Sequence, residues 1–181
     1  KFFSLEHCKQ EYPAYGTTDF RHPAVELLQP NGSRVTDFVY HSHTVAAGKP
    51  ALAGLPATYC EDPGEAETLT VCLEDALLGA ELYLSYTIFA GESALARSAR
   101  LENRGTQALH LTAAMSLCLD LPDSDYELVH FSGAWSRERH QRVRRLEQGI
   151  QSVESTRGHS SHSHNPFIML RRPGTGEDSG E

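Results

Sequence analysis

Histidine is densest in the segment Arg157-Gly158-His159-Ser160-Ser161-His162-Ser163-His164-Asn165-Pro166, which holds three of the ten histidines in the chain. Neutral imidazole is a good zinc ligand, and on extended backbone His162 and His164 share one side. A zinc site takes three or four converging ligands, however, and no HExxH or CxxC accompanies this stretch. A polar turn ahead of a strand is therefore the plainer reading, with a surface that meets another domain or a sugar between the two. Asp123-Ser124-Asp125 has calcium-ligand composition but lacks the following glycine and distant glutamate of an EF-hand, so ordinary turn chemistry accounts for it. Trp135, the single tryptophan, falls at the end of a strand-like run. Core or interface is its usual place there, and stacking on a sugar ring is the alternative. Tyr12, Tyr15 and Phe20 flank Gly16-Thr17-Thr18-Asp19, a mixture that suits a binding loop or an interdomain contact.

Hydrolysis of a glycoside needs two carboxyl groups across a cleft. With 24 acidic residues, sequence alone selects no pair. No GxSxG elbow, P-loop or dinucleotide fingerprint occurs. The four cysteines, Cys8, Cys60, Cys72 and Cys118, are irregularly spaced and form no CxxC pair. They read as reduced thiols, two of them inside apolar runs, which leans towards a cytoplasmic setting. The formal net charge of −8 disfavours nucleic acid as a partner. Arg137, Arg139, Arg142, Arg144 and Arg145 form one local basic stripe, read as a solvated or subunit-facing surface.

The elements that must carry these residues are strands. Glu67–Asp75 and Glu81–Ala90 alternate apolar residues at period two around Gly79, the pattern of a hairpin. Ala94–Asn103 ends at the turn Asn103-Arg104-Gly105, and Ala108–Leu119 keeps period two throughout, which favours strand over helix. Ala24–Leu28 and Arg34–Val45 are expected to form a hairpin around Asn31-Gly32. Glu127–Ala134, Arg142–Leu146, Ile150–Ser155 and Phe167–Arg171 complete the set. Strands recurring every 10 to 15 or so residues with Gly or Pro between them fit an antiparallel sandwich. The 181 residues amount to one domain or a piece of a larger one, with 39% hydrophobic residues. They are too few for a (β/α)8 barrel, which takes about 250. No apolar run approaches the roughly 18 residues that span a bilayer, so no membrane partner is expected. A start at Lys1 rather than Met, and a loop-like end from Arg171 to Glu181, read as the cut ends of an internal fragment.

Several segments together resemble a known family. Gln10-Glu11-Tyr12-Pro13-Ala14-Tyr15-Gly16-Thr17-Thr18-Asp19-Phe20-Arg21 looks like a motif of the glycoside hydrolase family 36 α-galactosidases. Further similar motifs follow in the same order: Arg97-Ser98-Ala99-Arg100 with Asn103 and Gly105, then Leu119 to Tyr126, then Ser132-Gly133-Ala134-Trp135-Ser136-Arg137-Glu138-Arg139. Last come Gly149-Ile150-Gln151-Ser152, Arg157-Gly158, Ser160-Ser161-His162 and His164-Asn165-Pro166-Phe167. The resemblance runs from about residue 10 to the end.

It implies an all-β, antiparallel β-supersandwich of galactose-mutarotase-like type, incomplete at both ends, that forms residues 1–181 of the N-terminal domain. The catalytic (β/α)8 barrel and a C-terminal β-sandwich would lie elsewhere in the parent protein. The family hydrolyses terminal α-1,6-galactosides of the melibiose and raffinose type with retention, and its two catalytic aspartates sit in the barrel. No catalytic residue is therefore expected here, and neither a metal nor an organic cofactor is implied. The implied partners are the barrel, the substrate of the whole enzyme and neighbouring subunits of a homotetramer. Asp19, Phe20, Arg21, Trp135, Arg137, His162, His164 and Asn165 are the candidates for substrate-proximal or subunit-facing contacts, against the alternative that they hold the sandwich together. A free-standing carbohydrate-binding β-sandwich is the competing function.

Overall fold

In a computed structural model of the chain, residues 8–16 and 20–179 are described. They fall into two compact units, Lys1–Asp120 and Leu121–Glu181, taken here one at a time. The strands are β1 (Val25–Leu28), β2 (Val39–Ala47), β3 (Ala66–Asp75), β4 (Ala80–Phe89), β5 (Leu95–Asn103), β6 (His110–Ala114), β7 (Glu127–Ala134), β8 (Arg137–Arg145) and β9 (His164–Arg171). A single turn of 3-10 helix, Pro63–Glu65, precedes β3. The expected all-β, antiparallel architecture is what the structure has.

In the first unit β2-β3-β4-β5 form a four-stranded antiparallel sheet, and β1 pairs with β6. Alternation puts Leu73, Leu82 and Leu101 in one row across the sheet and Val71, Leu84 and Ala99 in the next. Val25 and Leu27 of β1 join Leu82 and Leu84 in the buried core, with Phe38, Leu73, Ala99 and Leu101 packed around them. The opposite face carries hydroxyls. Thr68 and Thr87 are buried there and bond each other at 2.8 Å, while the Thr68 hydroxyl reaches the Gly48 carbonyl at 2.7 Å. Asp75 closes the β3–β4 hairpin: its buried carboxylate accepts from the Leu77 and Leu78 amides at 3.1 and 3.0 Å and from the Asp37 amide at 2.8 Å.

In the second unit β7 is the centre of a three-stranded sheet, flanked by β8 and β9. β7 supplies the buried Leu128, Val129 and His130.

Three expectations are corrected. The Asn31-Gly32 turn forms, with Gly32 at φ 84° and its amide 2.9 Å from the Gln29 carbonyl, but its flanks do not pair as a hairpin. β1 joins β6 instead, and β2 begins only at Val39 and joins β3. The amides between them are engaged elsewhere: Thr36 donates to the Tyr15 carbonyl at 2.8 Å and Asp37 to Asp75. The run Ala108–Leu119 is a strand only over His110–Ala114, because its partner β1 has four residues to offer. Ile150–Ser155 is not a strand; it lies outside every ladder, and Ile150 is exposed.

Candidate functional site

In the second unit the site residues are placed by one irregular hairpin. Ala134 pairs with Arg137 across a two-residue turn, Trp135-Ser136, in which Ser136 takes a left-handed φ of 59°. The Ser136 amide donates to the Glu138 carboxylate at 2.9 Å, which turns that acid back onto its own turn. Trp135 stands at the tip with 81% of its surface exposed, so it is not a core residue of this chain. The register shifts between Ser132 and Ala134: one residue of β7, Gly133, faces two of β8, Glu138 and Arg139, and Arg139 takes a left-handed φ of 60°. A Cβ there would lie 2.3 Å from the Arg137 carbonyl oxygen, so the close approach of β7 and β8 demands glycine.

Beyond the bulge the ladder pairs Ser132 with His140, His130 with Arg142 and Leu128 with Arg144. On the other side Ser132 pairs with His164 and His130 with Ile168. Period two therefore gathers His130, Ser132, His140, Arg142, Arg144 and His164 on one face. Arg142 Nε donates to Ser132 Oγ at 3.2 Å. The His130 and His164 rings lie 6.1 Å apart, and the Nδ1 atom of each is buried with no hydrogen-bond partner. Burial, then the positive charge of Arg144, His164 and Arg142, pushes the His130 pKa below the ordinary 6.5.

Two clefts open on this unit. One of about 440 Å³ is lined by Ser132, Arg137, His140, Arg142, Ser163 and His164, with Gly133 and Ala134 of β7. The other, of about 500 Å³, is lined by residues that include Glu154, Ser155, His159, His164, Asn165 and Phe167. His164 belongs to both. Neither has the two carboxylates that glycoside hydrolysis requires. No cluster of three or more His, Cys, Asp or Glu side chains able to hold a metal occurs among the described residues. Asp123 pairs with Arg172 rather than forming a cation loop.

In the first unit Asp19 lies outside the described residues. Phe20 is 89% exposed. Arg21 forms an ion pair with Asp120 and donates to the Cys8 carbonyl at 2.9 Å, and Asp120 also accepts from the Gln10 amide at 2.8 Å. Burial pushes the Asp120 pKa up. It is outweighed by the Gln10 and Arg21 hydrogen bonds and the Arg21 and Lys9 charges, which hold it below the ordinary value. Arg97 is the other cation of this region. Its largely buried guanidinium donates to the Cys118 and Glu11 carbonyls, each at 3.0 Å, pairs with the Glu11 carboxylate at 2.9 Å, and lies over the Tyr12 and Tyr86 rings.

The structure thus brings together Arg137, His164 and Asn165 around the two clefts, with His162 in the turn Ser161–Ser163 beside them. Arg21 is tied into its own network. Sequence reasoning passed over His130, His140 and Arg142 as members of one face. The alternation His130–Ser132 on β7 and His140–Arg142–Arg144 on β8 held that signal.

These features sit on antiparallel β-sheets. The chain matches, over residues 1–181, the family described as the glycosyl hydrolase family 36 N-terminal domain. Alpha-galactosidase AgaA of Geobacillus stearothermophilus is 50% identical over 179 residues, 99% of this chain and 25% of that protein. Alpha-galactosidase C of Emericella nidulans is 43% identical over 96% of this chain and 23% of its own length. Among solved structures, an AgaA variant in complex with raffinose superposes with a TM-score of 0.93, at 50% identity, over 95% of this chain and 24% of that one. The α-galactosidase of Lactobacillus brevis gives 0.92 at 43% identity, over 96% and 23%. The chain belongs to glycosyl hydrolase family 36, as its N-terminal domain, and spans about a quarter of the length of these relatives.

Proposed function

We propose that this chain is the non-catalytic N-terminal domain of a retaining α-galactosidase that hydrolyses terminal α-1,6-galactosides of the melibiose and raffinose type. The observation that carries this reading is the 50% identity across nearly the whole chain to a named α-galactosidase. The absence of a facing carboxylate pair from both clefts of the second unit supports a non-catalytic role. On this reading the catalytic aspartates belong to a (β/α)8 barrel in the rest of the polypeptide, and the domain supports that barrel and the assembly of a homotetramer. Phe20 and Trp135, the two most exposed aromatic side chains of the loops singled out by sequence, are the contacts offered to barrel, neighbour or substrate. The thiols of Cys60, Cys72 and Cys118, none of them in a disulfide, favour a cytoplasmic setting.

The test compares the full-length polypeptide with the 181-residue chain, using melibiose and raffinose as substrates. Galactose release by the former and none by the latter is expected. An inactive full-length polypeptide, or turnover by the 181 residues alone, overturns the reading. Sugar binding by the isolated chain without any enzyme encoded beside it would favour a carbohydrate-binding module instead.

A further inference from the structure

The smaller cleft of the second unit is chemically one-sided. Its side chains offer two guanidiniums, two imidazoles and two hydroxyls, and no aspartate or glutamate lines it. Such a lining donates hydrogen bonds and repels cations, which is the chemistry of an oxyanion site. Arg142, in the lining of this cleft, donates through Nε to Ser132 Oγ at 3.2 Å, a bond that does not use its two terminal nitrogens. The nearest acid in sequence, Glu138, is already turned onto the Ser136 amide. A further sign of a missing partner is the buried, unbonded Nδ1 of His164, in a wall of this cleft.

The larger cleft continues from the same histidine with different chemistry. Glu154, Ser155 and Asn165 offer acceptors and donors for hydroxyl groups, and Phe167, 42% exposed, offers an apolar surface. At about 500 Å³ it lies within the ~300–1,000 Å³ usual for small-molecule sites. A cleft lined by cations without acids and a hydroxyl-matching cleft, with His164 in the lining of both, fit a ligand with an oxyanion at one end and a polyol ring at the other.

We propose that these joined clefts bind a phosphorylated sugar, with the phosphate held by Arg137, His140 and Arg142 and the ring against Asn165 and Phe167. The site needs no catalytic chemistry and does not depend on which glycoside the parent enzyme cleaves. The shared recognition element is the phosphate, and free phosphate would engage it without the ring contacts.

The test is isothermal titration of the full-length polypeptide with inorganic phosphate and with galactose 6-phosphate, at fixed ionic strength. Both should bind, the sugar phosphate more tightly. Arg142→Gln and His140→Gln should weaken both ligands, the former by about tenfold or more, as expected for the loss of a charge-assisted bond. Asn165→Ala should weaken only the sugar phosphate. Arg139→Asn is the control: Arg139 belongs to the same basic stripe but does not line the cleft, and its φ of 60° suits asparagine. It should bind as the parent does. Equal losses at Arg139 and Arg142 would mean diffuse charge rather than a site, and would overturn the proposal. So would equal affinity for the two ligands, or no binding of either. A fall in melting temperature for Arg142→Gln without any phosphate binding would likewise overturn it, and would assign the cleft to a carboxylate of the polypeptide itself.

Discussion

Arg97 shows what one side chain holds in place. Its guanidinium joins three separate stretches of the first unit: the loop at Glu11, the segment at Cys118 and the rings of Tyr12 and Tyr86. Carbonyl, carboxylate and ring faces are all met by one planar fork, and a lysine ammonium cannot match that geometry. Arg97→Lys should therefore destabilise the chain by about 1–2 kcal/mol, read as a shift of the urea midpoint at constant slope, because the Cys118 and Glu11 carbonyls lose charge-assisted donors. A change within about 0.5 kcal/mol would show that water replaces those bonds. Tyr86 gives the same network a pH signature. Burial, followed by its hydrogen bond to Glu11, raises its pKa to about 12 against the nearby Arg97 charge. Since the folded pKa lies above the ordinary 10.0, this contribution is complete below pH 10 and is lost as pH rises from 10 towards 12. Tyr86→Phe should flatten that alkaline limb of stability. Tyr12, whose pKa burial also raises, would keep part of the slope. An unchanged limb would remove Tyr86 from the account.

At the scale of elements the most demanding position is the β7–β8 bulge. Gly133→Ala places a methyl against the Arg137 carbonyl and within 2.7 Å of the Glu138 Cα, both backbone atoms that cannot swing aside. It should cost about 3 kcal/mol and displace Trp135, seen as a change in tryptophan emission that precedes global unfolding. An alanine variant with parent stability and emission would mean that the hairpin re-registers freely. The bulge also marks the limit of what periodicity conveys. Glu127–Ala134 was legible residue for residue, and the spans of β3 and β4 to within a residue at each end, because alternation and turn glycines fix local pairing. Alternation also names which residues share a face, but not which face is covered. Leu69 and Ile88 belong to the apolar side yet are exposed, while Thr68 and Thr87 on the other side are buried. Nor does a turn name long-range partners. Val25 finds Ala114, so the strong Asn31-Gly32 signal was spent on a turn whose flanks diverge. The oxyanion-type cleft was half legible for the same reason. Arg137, Arg142 and His164 stood out by composition, whereas their meeting with His140 in one cleft follows only from the β8-β7-β9 order.

Over the whole molecule the telling feature is apolar surface without cover. Cross-strand register aligns Val45 with Leu69, Leu69 with Tyr86, and Ile88 with Leu95, so these side chains continue the same face whose other end is packed by Val25 and Leu27. Val45, Ile88 and Leu95 are 57%, 63% and 61% exposed. β2 lies at the edge of the sheet with every residue exposed. A continuous apolar patch beside an unpaired edge drives association through burial worth roughly 25 cal/mol per Å². The 181 residues by themselves should therefore sediment as self-associated species at micromolar concentration. Ile88→Lys combined with Leu95→Lys should shift them towards monomer, because both side chains are solvent-facing and removing them uncovers no core. Stability at the urea midpoint should stay within about 0.5 kcal/mol of the parent, as for other surface substitutions. A parent chain that is already monodisperse and melts as a monomer would show that the patch is tolerated in water. If the lysine pair lowers stability instead, the face is packed in solution. If both expectations hold, the same substitutions in the full-length polypeptide become the sharper probe: loss of its assembly or stability there would show that this face is covered within the enzyme.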